Sequence, residues 1–419
     1  MLKEIVKIFS FSKKILDASS KALELCEEKF KQIEEIKEYN QQKVLDSFIK
    51  CKISESHFVS TTGYGYNDRG REKLDELFSS IFKSEDAIVR HNFVSGTHTL
   101  STALFGILRP GDSFLSVTGK PYDTLEDVIC SNKNLGSLKD FGIKFDCIEY
   151  SNNKEEYFKN IKEKIISNKF KMVYIQRSRG YSLRDSLGVF QIKEIISFVK
   201  NIDPKIVVMV DNCYGEFVEK EEPSECGADL IAGSLIKNPG GAISSTGGYI
   251  VGKKDLIEQC ANRLTAPGIG KEIGANLGLN REIFMGIFNA PNVVGESLKS
   301  AVFASALFEI LGYEVYPKYY EERHDIVQSV VLNSPKNLIN FCKGIQEGSP
   351  VDSFVSPEPW GMPGYESQVI MAAGTFISGA SIELSADGPL RVPYVAWMQG
   401  GVNFYASKIG IMKAAERVI

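Results

Sequence analysis

From residue 1 to about 50, apolar and charged positions recur at helical spacing, as in Ala22, Leu23, Cys26, Phe30, Ile33 and Ile36. No Pro or Gly interrupts this stretch, so it predicts helix. Residues 54–71, SESHFVSTTGYGYNDRGR, are rich in Gly, Ser and Thr and predict a loop, with helix resuming from Glu72 to Phe82. From about 86 to 252 the period changes. Short β-type runs alternate with helical stretches: AIV (87–89), SFLSV (113–117), MVYIQ (172–176), IVVMV (206–210), DLIAG (229–233) and GYIVG (248–252). Such alternation predicts βαβ units and a mostly parallel, buried sheet, an α/β fold. Residues 254 to about 311 predict helix around a Gly-rich interruption, TAPGIGKEIGANLG (265–278). A second α/β pattern follows from about 312, with YEVY, QVIMA and SIELS as strands. The break near 290–312 marks a domain boundary, and no internal repeat is visible.

Composition narrows the class. The chain has 419 residues, 43% apolar and 24% charged, which is ordinary globular usage and excludes a disordered or collagenous chain. The formal net charge of −4 gives no bulk attraction to nucleic acid or to an anionic membrane. Eight cysteines, at 26, 51, 130, 147, 213, 226, 260 and 342, form no C-x-x-C pair and match no zinc spacing. They read as reduced cytosolic thiols. Lys3, Glu4 and Lys7 interrupt what would be a signal core, and no apolar run is long enough to span a bilayer. The expectation is a cytoplasmic protein with no membrane or nucleic-acid partner. His57, His91, His98 and His324 form no ligand pair, and no acidic cluster suggests a metal. GGYIVGKK (247–254) is a failed P-loop, because Lys254 stands where Ser or Thr should hold magnesium.

In parallel sheets, ligands bind beyond the carboxyl ends of the strands. Polar residues just after the apolar runs therefore carry weight. Asp211 ends IVVMVD, where a carboxylate needs a cationic or donor partner, or serves as a helix cap. Lys237 lies 26 residues later, past DLIAGS and before a Pro-Gly-Gly turn. One βαβ step brings the two to the same edge, and a buried lysine is a Schiff-base candidate. Ser95, Gly96 and Thr97 precede an apolar helix whose free N–H groups suit a phosphate, although a simple Ser cap fits equally. Tyr122 opens another helix and can stack on a planar ligand. Gln176 and Arg177 also end a strand at that edge.

These residues resemble the pyridoxal-phosphate (PLP) dependent cystathionine lyase and methionine gamma-lyase family, within it the aluminium-resistance, methionine-gamma-lyase-like branch. SGTHTLSTALFGILRPGD is similar to its S-G-M…L-RPGD block. VDNCYGEF followed by GADLIAGSLIK resembles its VDN-T…GADLV-HS-TK block. The resemblance implies a PLP-dependent transferase fold, aspartate-aminotransferase-like (fold type I). It divides the chain into an N-terminal helical segment (1–53), a large PLP-binding domain (54–300) and a smaller C-terminal domain (301–419) joined by part of the N-terminal segment.

The resemblance also implies roles. Lys237 would hold PLP as a covalent aldimine, Asp211 would pair with the pyridinium nitrogen, and Tyr122 would stack on the ring. Ser95, Gly96, Thr97 and Ser234 would hold the phosphate. The loop with Tyr64, Tyr66 and Arg69 resembles a Tyr-x-Arg arm that reaches a neighbouring subunit's phosphate, implying a homodimer or homotetramer with shared sites. The family's second hydroxyl after Ser234 is Ile236 here. Arg391, after SIELS, and Arg177 are the candidates for a substrate carboxylate, which arginine's planar fork suits. Lys271 is the runner-up to Lys237, and His98 has no assigned role. The implied reaction is carbon–sulfur lysis of a sulfur amino acid, of cystathionine beta-lyase or methionine gamma-lyase type, giving keto acid, ammonia and a thiol. The alternatives are a transaminase-like PLP enzyme and a PLP-binding stress or metal-resistance protein.

Overall fold

Ser12 caps the first helix, Lys13–Lys50, by accepting the Ile15 N–H. Ile15, Ala18, Ala22, Cys26 and Ile33 form its buried stripe, and it packs along the helix Asn280–Ile310. The computed structural model describes residues 8–131, 135–362 and 367–419. Residues 1–7 of the expected N-terminal helix lie outside these.

The central sheet has seven strands in the order β1-β7-β6-β5-β4-β2-β3. They are β1 (Asp86–Arg90), β2 (Ser113–Ser116), β3 (Lys144–Cys147), β4 (Met172–Gln176), β5 (Val207–Asp211), β6 (Leu230–Ser234) and β7 (Gly248–Gly252). The run from β3 through β6 is parallel, while β7 is antiparallel to both β6 and β1. The six expected runs are all strands. β3, KFDC, was not expected, because a short half-exposed edge strand carries no apolar run. β4 to β7 are buried on both faces, hence their continuous apolar character.

A second sheet is antiparallel throughout, in the order β10-β11-β12-β9-β8. Its strands are β8 (Glu314–Tyr316), β9 (Gln328–Val331), β10 (Val369–Ala372), β11 (Ser385–Pro389) and β12 (Val395–Gln399). YEVY and QVIMA contain β8 and β10, but SIELS is not a strand. Residues 381–384 are turn, because the Glu383 carboxylate accepts the Phe376 and Ile377 N–H groups and folds the segment on itself. The strand begins only at Ser385. The expected boundary at 300/301 falls inside the continuous helix Asn280–Ile310, which also carries the break read near 290–312. All eight cysteines are free thiols. Among the described residues, no helix is long and apolar enough to cross a membrane.

Candidate active site

Register fixes the first wall of the site. Gln176 pairs with Asp211, and Asp211 with Ala232, so the carboxyl ends of β4, β5 and β6 share one edge. Ser234 lies two residues beyond Ala232, and Lys237 follows in the next turn. Gly240 makes that turn feasible, since a Cβ there would sit 1.6 Å from the Leu235 carbonyl oxygen. Lys237, Asp211, Tyr122 and Gln176 all line one cavity of about 180 Å³.

Asp211 is buried, its Oδ1 accepting the Cys213 N–H at 3.1 Å and its Oδ2 the Tyr174 hydroxyl at 3.2 Å. Burial pushes its carboxyl above the usual range, and the Lys237 charge partly offsets the rise. Burial pulls the Lys237 ammonium down, but the acidic groups around it, Cys213, Tyr214, Asp211 and Tyr122, raise it above the ordinary lysine range overall. Lys237 Nζ lies 4.1 Å from the centroid of the Tyr214 ring, a cation–π contact. Tyr214 holds a left-handed backbone (φ 72°), uncommon for a bulky residue, and its hydroxyl bonds Ser381 at 2.8 Å.

Tyr122 stands on the opposite side of the carboxylate edge. Its N–H donates to Gln176 Oε1 at 3.0 Å, and its hydroxyl lies 3.0 Å from Thr97 Oγ1. Burial drives the phenol well above its usual range, with the Asp211 charge adding to the rise, so the hydroxyl stays protonated.

Ser95 is the N-cap of the helix Gly96–Ile107, its hydroxyl accepting the His98 N–H at 3.0 Å. The cap reading of Ser95 therefore accounts for its side chain. His98 in turn accepts the Val94 N–H on Nδ1 and packs edge-on to Phe93, which gives it a role in shaping this turn. Gly96 abuts Ser234: a Cβ at Gly96 would come within 3.4 Å of the Ser234 Cβ and 3.9 Å of the Cys213 Sγ. The Ser234 hydroxyl is buried without any hydrogen-bond partner. A buried hydroxyl left unpaired is costly unless something else meets it. Here it faces a helix start whose first N–H groups have no intrahelical acceptor. Ser95, Gly96, Thr97 and Ser234 do not line the cavity themselves, but their corner adjoins it through Cys213 and Tyr122. A buried carboxylate, a ring-sized aromatic and an amine in the cavity, with an anion-accepting corner beside it, fit the ring nitrogen, ring face, aldehyde and phosphate of PLP.

Other expected residues lie elsewhere. Tyr64 and Tyr66 are exposed and pack on each other at 5.6 Å, Arg69 is exposed, and none of the three lines the cavity. The buried arginine of that loop is Arg71, which donates to the carbonyls of Gly65, Gly274 and Glu272 and ties the loop to the Gly-rich segment. Lys271 pairs with Asp86 at 2.7 Å and with Asp75, which removes it as an alternative to Lys237. Arg177 is 0% exposed and spends its guanidinium on Asn212, Glu219 and the Leu187 carbonyl, behind the cavity wall. Arg391 is exposed in the turn after β11. Neither arginine meets the cavity.

The second wall was not anticipated. Asp387 on β11 and Trp397 and Gln399 on β12 line the cavity, together with Tyr181. Trp397 and Gln399 share a face by the two-residue period of a strand, which is the signal that could have marked them. Burial pushes the Asp387 carboxyl up to about 6, against hydrogen bonds from Tyr181 and Gln399.

The methionine gamma-lyase family model matches residues 15–419. A carbon-sulfur lyase involved in aluminum resistance from Clostridium novyi NT is 48% identical, with 100% of this chain and 99% of that one covered at a TM-score of 0.95. The uncharacterized protein YnbB of Bacillus subtilis is 50% identical over 391 residues, 93% of each chain. The pyridoxal-5'-phosphate dependent protein YhfS from Escherichia coli, at 16% identity, shares the fold over 91% of this chain and 97% of its own, with a TM-score of 0.59. The architecture is that of fold type I, a mostly parallel central sheet with a smaller sheet beside it.

Proposed function

Because the chain belongs to the methionine gamma-lyase family, we propose that it is a PLP-dependent carbon–sulfur lyase acting on a sulfur amino acid and releasing a keto acid, ammonia and a thiol. The observation that carries this reading is that Lys237, Asp211 and Tyr122 line one cavity, with the unspent Ser234 hydroxyl and the Gly96 helix start packed just behind its Cys213. When bound, PLP supplies an electron sink for the pair left behind by the Cα proton.

The chain's own residues do the rest. Ser234 Oγ and the N–H groups at Gly96 and Thr97 bind the phosphate. The Asp211 carboxylate, kept in place by Tyr174 and the Cys213 N–H, holds a proton on the ring nitrogen. Tyr122, fixed by Gln176 and Thr97, presents its ring and a neutral hydroxyl. Lys237 Nζ is the attachment point for the cofactor. With the cofactor in place, the Lys237 amine would take the Cα proton and return a proton to the departing sulfur, the work of a positioned general acid–base. Tyr64, Tyr66 and Arg69 belong to an arm that completes a neighbouring subunit's site, in a homodimer or homotetramer; their exposure away from this chain's own cavity supports that reading.

The test is the absorbance of pure protein over roughly 300–500 nm, before and after borohydride, followed by mapping of the reduced adduct. The expected result is a cofactor band and a label on Lys237, with thiol and keto acid released from cystathionine or methionine. A flat spectrum that added PLP does not restore would remove the reading.

A further inference from the structure

Lys237 is the only cation among the described residues lining the cavity. The wall contributed by the second sheet adds a carboxylate. Asp387 stands directly opposite Trp397 in the β11–β12 register, so the two share a face of that sheet. The Asp387 carboxyl faces the Tyr181 hydroxyl, and its Oδ2 accepts from Gln399 Nε2 at 3.3 Å, whereas its Oδ1 is buried without a hydrogen bond. The Tyr181 ring lies 5.0 Å from the Trp397 ring, and both line the same cavity.

A carboxylate oxygen without a donor, set beside two aromatic rings, suits an ammonium group. The acid supplies a charge-assisted hydrogen bond, and the rings attract the cation through their quadrupoles. An alkyl end in the same place would leave Oδ1 unpaired, and a second carboxylate would be repelled. Resting on the lyase reading above, we propose that Asp387, with Tyr181 and Trp397, selects thioether amino acids whose side chain ends in an ammonium group over those ending in a neutral alkyl group. Asp387 is thereby a specificity-determining residue, and a terminal methyl is the wrong end for this cavity.

The experiment compares the holoenzyme on two isosteric substrates, S-(2-aminoethyl)-L-cysteine and S-propyl-L-cysteine, which differ only by an ammonium in place of a methyl. Wild type is expected to favour the ammonium substrate by about tenfold or more in kcat/KM, carried mainly in KM. Asp387→Asn is expected to abolish that preference by lowering kcat/KM on the ammonium substrate about tenfold more than on the S-propyl substrate, and Asp387→Glu to restore part of it. Binding is read apart from turnover in the Lys237→Ala background, by quenching of tryptophan emission, where the same preference is expected. Equal loss on both substrates in Asp387→Asn would assign Asp387 to the α-ammonium common to both and overturn the proposal. So would a wild type without preference. Absence of a cofactor band together with no turnover of either substrate would overturn the lyase reading and this proposal with it. Turnover without charge preference overturns this proposal alone.

Discussion

The two walls of the cavity are built on different plans. The wall from the parallel sheet places its groups just past strand ends: Asp211 at the end of β5, Ser234 at the end of β6, and Lys237 in the turn that follows. The wall from the antiparallel sheet places Asp387, Trp397 and Gln399 within strands, and brings them together by cross-strand register. The first plan uses local sequence, a polar residue after an apolar run and a Pro-Gly-Gly turn. The second uses pairing between segments that no short motif reveals. On our reading, chemistry is concentrated on the first wall and discrimination among substrates belongs to the second.

If that division holds, the largest effect belongs to the first wall. Lys237→Ala is expected to lower kcat on every substrate by on the order of 10³-fold or more, because attachment and proton transfer share one amine. A loss confined to one substrate would break the division. Next comes a residue behind the first wall. Arg177→Ala is expected to cost about 3–5 kcal/mol of folding stability by leaving Glu219 and Glu222 without their buried partner. Chemical denaturation measures this, and a KM effect without a stability effect would return Arg177 to the substrate.

The second wall gives a smaller, pH-dependent effect. Folding raises the Asp387 carboxyl from 3.8 to about 6. Between those values the native state holds a proton that the unfolded chain has lost, so stability falls as pH rises through the window. Above pH 6 the cost is fully present, about 3 kcal/mol at most. The groups facing the carboxyl are Tyr181, Gln399 and Lys237, with Tyr214 and Cys342 nearby. Asp387→Asn should therefore stabilise the protein at pH 8 and leave it unchanged near pH 4, as read by denaturant midpoints. A destabilised variant at pH 8 would mean that Asp387 already has its cation, and would sharpen the charge balance of this wall.

Legibility in the sequence followed the same divide. The six apolar runs of the central sheet, Asp211, Lys237 and the Gly96 helix start could be read because turn residues punctuate them. β9 and β12 are short and were not read, although Asn333-Ser334-Pro335 follows the one and Gly400-Gly401 the other, and SIELS imitated a strand while Glu383 folded it into a turn. The arginines failed for a related reason. Gln176 lines the cavity, but Arg177 is one residue later, and its guanidinium lies behind the wall. Arg71 was overlooked beside Arg69, because only the fold reveals which of two nearby arginines turns inward to the carbonyls of Gly65 and Gly274.

The smallest expected effect concerns Arg391, and it tests how far the second wall extends. Its backbone shapes the turn, with its N–H donating to the Pro389 carbonyl and its carbonyl accepting from Tyr394. Its side chain is exposed and outside the cavity. Arg391→Ala keeps both backbone bonds, so stability should change by no more than about 0.5 kcal/mol. KM for amino acids should stay within about twofold, since a guanidinium in solvent offers the substrate no fixed fork. A tenfold rise in KM at unchanged stability would mean that Arg391 reaches the substrate when the cavity is filled. The second wall would then carry a cation as well as the Asp387 carboxylate, and selection for an ammonium end would have to be balanced against a carboxylate clamp in the turn that follows β11.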